Sequence, residues 1–526
     1  MSKSLAKSTT VVGGMTLTSR VMGFLRDIVF ARFFGAGLGM DVFVVAFQIP
    51  NFLRRLFGEG AFSQAFVPVL SEYRSQKETA DVKALADRVA GTLGVILFGL
   101  TVLGIVIAPF LILLFAPGFA NEPDKYELAT AMLRITFPYL LFICLVAFAG
   151  GILNTYGRFA VPAFTPVLLN VCLIGAAIFL APHLDRPVLG LAVGVFVAGV
   201  AQLLFQIPWL RAIGLLPRPR WGWSDTGVRK ITRLMLPALF GSSVAQINLI
   251  IDRVIASFMV TGSISWLYYS DRLLEFPLGV FAIALATVIL PGLSRHHAEQ
   301  AGEAFSHTLD WALRLAAVIA VPAAVGMLLL AGPMIATLFN YGAFGGDDVR
   351  MARLSLMAYS LGLVAFTMVK VLAPGFYSRQ DTKTPVRIGI IAMVSNIVLN
   401  AAIVLPMVRL GVPGPHAGLA LATGLAAAIN ATLLYRGLRR AGVYRPRPGW
   451  GRLGLQLLIA NAVLAGVVIL LAGDLESWLA ASWQARGLRL GYCIVAGAGA
   501  YALTLAATGL RPRHLAAPAR TAETGS

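Results

Sequence analysis

The sequence predicts an all-α polytopic membrane protein of about fourteen transmembrane helices, and three observations predict it. Of 526 residues, 58% are hydrophobic and only 13% are Asp, Glu, Lys or Arg, about half the charge of a soluble domain. Mean hydropathy is +0.79. Apolar stretches of bilayer-spanning length recur along the whole chain. So little charge cannot cover a soluble surface, which excludes a secreted domain, a nucleic-acid-binding domain and a disordered chain.

The spans follow one another at 11–34, 41–71, 84–116, 129–154, 160–181, 187–210, 229–260, 264–292, 306–330, 350–376, 384–406, 414–437, 451–472 and 486–510. Each holds the roughly 20 mostly apolar residues that a helix needs to cross a bilayer. Charges interrupt the first two. Residues 1–34 do not read as a signal peptide, because Arg20, Arg26, Asp27 and Arg32 fall where its apolar region belongs. No loop is long enough for a separate soluble domain, and 511–526 reads as a disordered cytoplasmic tail.

The loops alternate in charge. One set collects Arg74, Lys77 and Lys83, then Arg211, Arg218, Arg220, Arg229 and Lys230, then Arg436, Arg439, Arg440, Arg445 and Arg447. The opposite set is short and poor in base, with Glu122 and Asp124 in one loop and Asp347 and Asp348 in another. Lys and Arg gather on the cytoplasmic side. Both termini are therefore expected in the cytoplasm of a multi-pass protein of the bacterial inner membrane. The same rule accounts for the net charge of +19 without invoking nucleic acid. Cys144, Cys172 and Cys493 lie singly in apolar stretches, so no disulfide framework or metal site is expected from them.

The chain repeats itself. Gly35 to Pro50 and Gly262 to Pro277 have the same separation, each enclosing an acidic residue, Asp41 or Asp271. Pro68-Val-Leu-Ser71 is matched by Pro291-Gly-Leu-Ser294, and Tyr156-Gly-Arg158 by Tyr377-Ser-Arg379. The predicted organisation is a six-helix lobe over 1–220, a second over 221–440 in parallel pseudo-two-fold repeat, and two extra C-terminal helices over 441–510. Two such lobes suit a transporter that rocks around a central site.

Ionisable groups inside spans cost about 2.5–3.5 kcal/mol each on insertion scales and mark functional interiors. The first span holds Ser19, Arg20, Arg26 and Asp27; the second holds Asp41, Arg54, Arg55 and Glu59; the eighth holds Asp271, Arg272 and Glu275. Pro50, Gly58 and Gly60 predict a broken second helix, tolerable where backbone lines a cavity. Arg20, Arg26, Arg54 and Arg272 outnumber the carboxylates near them. The guanidinium fork suits phosphate and carboxylate, so an anion-binding cavity is one reading. Structural ion pairing, of Arg26 with Asp27 or Asp271 and of Arg54 with Glu59, is the other. Catalysis finds no support, since no His-Cys or Ser-His-Asp set assembles and no zinc-protease or nucleophile-elbow motif occurs.

Ser19-Arg20-Val-Met-Gly-Phe-Leu-Arg26-Asp27, Pro50-Asn-Phe-Leu-Arg54-Arg55, Gly58-Glu59-Gly60-Ala-Phe-Ser-Gln-Ala-Phe-Val-Pro68 and Asp271-Arg272-Leu-Leu-Glu275-Phe-Pro277 resemble the MurJ (MviN) lipid II flippases. The resemblance runs from about residue 4 to 510. It implies the fold of the multidrug/oligosaccharidyl-lipid/polysaccharide exporter superfamily. It also implies that lipid II, an undecaprenyl diphosphate bearing the peptidoglycan disaccharide-pentapeptide, moves from the inner to the outer leaflet. By the same resemblance Arg20, Arg26, Arg54 and Arg272 bind substrate. Ser19, Asp27, Asp41, Glu59 and Asp271 orient those arginines or gate the cavity, and the last two helices form a groove for the lipid tail.

Some relatives hold sodium in the second lobe. Asp252, Asn396 and Asn400 are the candidates here, the two asparagines sharing a helix face by their i, i+4 spacing. Capping or helix–helix hydrogen bonding accounts for them equally well. No cofactor is expected, and Na+ coupling and the membrane potential both remain open as energy sources. The expected partners of a monomer are lipid II, membrane lipids and cell-wall synthesis proteins, with no nucleic acid. Two rivals stand beside flipping of lipid II: an ion-coupled exporter of another lipid-linked glycan or a drug, and a non-transporting cell-wall scaffold.

Overall fold

A computed structural model describes residues 3–56 and 62–511. Every regular element among them is helical. The chain forms two compact units, Met1–Ser265 and Trp266–Ser526.

Among the described residues, ten helices are long and apolar enough to cross a membrane by length and composition. They are Thr79–Val106, Pro123–Thr155, Ala160–His183, Leu189–Ala212, Gly302–Leu329, Gly346–Tyr377, Lys383–Arg409, His416–Arg440, Trp450–Ala472 and Trp483–Ala507. The four remaining predicted spans are the charged ones, and they are helical too: Lys3–Phe34, Leu38–Arg54 with Ser63–Gln76, Thr226–Ala256, and Ser263–Pro277 with Ile283–Ala298. These are the first two spans of each predicted half. Charge there lowers apolarity without breaking the helical hydrogen-bond ladder.

Proline explains most interruptions, because its ring removes a donor and clashes with the carbonyl four residues back. Pro277 closes its helix, and a wide turn over Leu278–Ala282 precedes the next. Pro109 and Pro138 likewise stand at the joints between Thr79–Val106 and Ala108–Phe115 and between Pro123–Thr136 and Tyr139–Thr155. Pro50 is absorbed within Leu38–Arg54, whose regular part ends at Arg54. Gly58 and Gly60, expected to break this span, lie outside the described residues. Gly35 and Gly262, at matching places in the repeat, both have positive φ, 62° and 100°. Each turns the chain into the helix that follows at no steric cost.

Each unit has a core built on equivalent helices. Phe66, Leu85, Phe148 and Ile152 pack together in the first unit, and Ile289, Leu309, Leu372 and Leu438 in the second. In the second unit Gly346–Leu372 and His416–Arg440 touch through glycine: a Cβ on Gly362 would lie 2.6 Å from the Gly424 Cα. Small residues that let backbones approach this closely are how membrane helices gain packing.

Candidate functional site

The first helix, Lys3–Phe34, presents its cations on different faces. Arg20 is exposed, whereas Arg26 is buried and Asp27 more so. Arg26 donates to the Asp27 carboxylate from Nε at 3.0 Å and from Nη2 at 2.7 Å. Its Nη1 donates to Asn170 Oδ1 at 3.1 Å, and the guanidinium lies 5.5 Å from the Phe30 ring centre. Asn170 in turn donates to the Ser19 carbonyl at 3.2 Å. One amide on Ala160–Gly175 thus ties two turns of the first helix. Ser19 also lines a cavity of about 350 Å³ with Thr16, Asn154 and Phe159. The ion pair foreseen between Arg26 and Asp27 is therefore real. Asn170 escaped the sequence reading, though a lone amide in an apolar stretch is a signal in itself.

Arg54, half-buried at the end of its helix, donates from Nε to Asn51 Oδ1 at 2.8 Å. Glu59, named as its partner and as a gating residue, lies outside the described residues.

Asp41 is held by several groups at once. It is 1% exposed, in the first turn of Leu38–Arg54. Oδ2 accepts from the Gly262 N–H at 2.7 Å. Oδ1 accepts from the Ser265 N–H at 2.9 Å and from Ser265 Oγ at 2.6 Å. These groups open the helix Ser263–Pro277, whose first N–H groups have no partner within the helix and favour a negative charge. Lys125, 1% exposed, sits behind the carboxylate. Its Nζ is 3.9 Å from Asp41, 3.3 Å from Glu122, and 3.1 Å from Thr261 Oγ1, over the Phe119 ring. Lys125 was missed because it hides in the loop with Glu122 and Asp124. Its oddity as a base in a base-poor loop was the available clue.

In the second unit Arg272 pairs with Glu275 at 2.8 Å and stacks 4.9 Å from the Tyr268 ring centre, keeping about a third of its side chain exposed. Asp271 is half-buried beside it. Ser270, one residue earlier, is buried and donates to the Trp266 and Ala352 carbonyls, fixing this helix. Asn396 and Asn400 are fully buried. Asn400 donates to Asn396, which donates to Thr423 Oγ1 at 3.2 Å, forming an amide ladder between two helices. Asp252 is half-buried in the first unit. No group of three or more His, Cys, Asp or Glu suited to a metal occurs among the described residues.

Chemically, the arrangement offers guanidinium groups on charged helices, Arg26 clamped by a carboxylate and an amide and Arg20 exposed. The family model described as lipid II flippase MurJ matches residues 30–486. A probable lipid II flippase MurJ of Vibrio cholerae is 50% identical, with 98% of each chain covered. The lipid II flippase MurJ of Burkholderia cenocepacia is 43% identical over 92% of each chain. A solved lipid II flippase MurJ in an inward closed conformation superposes with a TM-score of 0.78 at 27% identity, covering 94% of this chain and 98% of that one. A multidrug-resistance MATE transporter superposes with a TM-score of 0.64 at 17% identity, a likeness of fold.

Proposed function

Since the chain belongs to the MurJ family of lipid II flippases, a family of membrane transporters, we propose that it moves lipid II from the inner to the outer leaflet of the cytoplasmic membrane by alternating access. The diphosphate and peptide carboxylates are captured on cationic, water-facing surfaces, one in the first unit that includes Arg20 and one in the second that includes Arg272. The observation that carries this reading is that Arg20 is exposed and Arg272 about one-third exposed, on helices that the sequence reads as charged spans. An arginine facing hydrocarbon is disfavoured by about 2.5–3.5 kcal/mol, so its open face belongs against water or an anion.

The arginines divide into two roles. Arg20 and Arg272 bind phosphate, Arg272 being held in place by Glu275 and the Tyr268 ring. Arg26, neutralised by Asp27 and fixed by Asn170, shapes the surface more than it attracts charge. Arg54, steadied by Asn51, completes it. Asp41 holds the start of Ser263–Pro277, and its release and recapture accompany the two access states.

The arginine-rich loops support cytoplasmic termini. With that orientation an inside-negative potential drives an anionic headgroup outward, by about 2.3 kcal/mol per charge for each 100 mV. No nucleotide is then required.

Complementation of a flippase-depleted strain tests the assignment. Alanine at Arg20 or Arg272 is expected to abolish growth at normal protein level, and lysine to restore part of it. Full growth with alanine at all four arginines, taken singly, refutes the capture model. Competition between lipid II and other lipid-linked glycans for the purified protein separates the exporter alternative.

A further inference from the structure

Each unit contains a second cavity, away from the arginines just described, and the two cavities are equivalent under the repeat. They measure about 580 Å³ in the first unit and about 760 Å³ in the second, within the range of ligand sites. Ala90, Leu145 and Ala149 line one where Leu313, Met368 and Leu372 line the other, at one constant separation in sequence. Leu203 and Ile207 correspond to Ala431 and Tyr435 at a separation five residues longer.

Each cavity is roofed by a basic linker, and the linkers are also repeats. Arg218-Pro219-Arg220-Trp221-Gly222-Trp223 follows the sixth span, and Arg445-Pro446-Arg447-Pro448-Gly449-Trp450 follows the twelfth. A buried aspartate fastens each one by its backbone. Asp87 accepts the Arg218 N–H on its carboxylate at 2.6 Å and the Arg220 N–H on its carbonyl at 2.9 Å. Asp310 accepts from the Arg447 N–H at 3.3 Å, Trp450 Nε1 at 2.8 Å and the Tyr444 hydroxyl at 2.8 Å. Lys83 and Arg314, one turn away, neutralise the two aspartates. Arg218, Arg220, Arg445 and Arg447 are all exposed, and Arg447 also lines the second unit's cavity. Trp221 lines the first unit's cavity and stacks on Trp223, and both rings are exposed.

An apolar slot under a rim of arginine and tryptophan matches a lipid whose phosphate sits at the membrane surface. Tryptophan favours the interfacial level, and anionic headgroups attract clustered arginine there. We propose that each Arg-Pro-Arg linker caps a binding site for one anionic phospholipid of the bordering leaflet. An acyl chain fills the slot and the phosphate meets the two linker arginines. Phospholipid is favoured over the transported substrate because both sites lie on linkers after the sixth and twelfth spans, each inside a single unit, and because they occur twice.

Native mass spectrometry of the full chain with phosphatidylglycerol, against phosphatidylcholine of the same acyl chains, tests this. Two phosphatidylglycerol molecules are expected to be retained well above the rest. Arg218→Gln with Arg220→Gln should weaken one, and Arg445→Gln with Arg447→Gln the other, each by about thirtyfold for two interfacial arginines. These side chains are exposed, so the variants are expected to fold; Leu203→Trp and Ala431→Trp, at partly exposed positions lining the slots, provide an independent check. Equal retention of both lipids, or wild-type retention by the fourfold glutamine variant, overturns the proposal. So does displacement of both lipids by lipid II, which would assign the cavities to the substrate.

Discussion

Replacing Asp41 by alanine removes the acceptor of three hydrogen bonds at once, from the Gly262 N–H, the Ser265 N–H and the Ser265 hydroxyl. It also strips Lys125, itself 1% exposed, of one of its two carboxylates. Breaking a buried charged cluster by deleting one partner costs about 3–5 kcal/mol. That loss falls on the start of Ser263–Pro277, because the other contacts of this helix do not involve Asp41. Hydrogen–deuterium exchange of the purified protein reads it directly. A local opening made easier by about 3–5 kcal/mol raises exchange at the Gly262 and Ser265 amides by roughly two to three and a half orders of magnitude. Asp41→Asn keeps the shape and one oxygen acceptor, so its effect should fall between alanine and wild type. Exchange in the alanine variant within about threefold of wild type would refute the view that Asp41 holds this turn. Growth of a depleted strain on the same variants reports whether the clasp matters for transport.

Other consequences follow from single side chains. Gly362→Ala puts a Cβ 2.6 Å from the Gly424 Cα; the two helices must part, and thermal unfolding in detergent should show a loss of about 1–3 kcal/mol. Asp381, in the turn before Lys383–Arg409, accepts the Thr384 N–H at 3.0 Å, and that bond holds its carboxyl below the ordinary carboxylate range. A lowered native value stabilises the folded state above the unfolded pKa and is lost as pH falls through the native one. Asp381→Ala should therefore destabilise the fold at neutral pH and leave it unchanged in strong acid, as measured by unfolding at two pH values. Asn396→Leu removes the middle rung of the ladder to Thr423; flipping that survives without sodium dependence in this variant and in wild type would remove the asparagines as an ion site.

The ten apolar spans were legible because hydropathy over bilayer length is a strong signal. The charged spans were legible for a different reason: their polar residues sit in otherwise apolar runs at matching places in a repeat. The roles of those residues were less legible. Asp41 stood out, yet its partners are backbone N–H groups more than two hundred residues away, and every residue carries such a group. Asn396 and Asn400 announced a shared helix face, but only the packing of two helices supplies Thr423. The arginines of the duplicated Arg-Pro-Arg linkers read as ordinary cytoplasmic loop charge, because the cavities beneath them exist only in the folded chain. The separation of equivalent residues also shifts between the third and sixth helices of each half, where loops differ in length.

The central claim is that arginine on the charged helices captures the headgroup of lipid II and that the membrane potential carries it across. Purified protein in liposomes holding lipid II, with a potential set by a potassium gradient, measures this directly. Wild type should move lipid II to the positive side at a rate that rises with the potential, and Arg20→Ala and Arg272→Ala should each be slower by tenfold or more, about 1.4 kcal/mol of lost binding, with lysine intermediate. Equal rates in wild type and both alanine variants, at every potential, would contradict it.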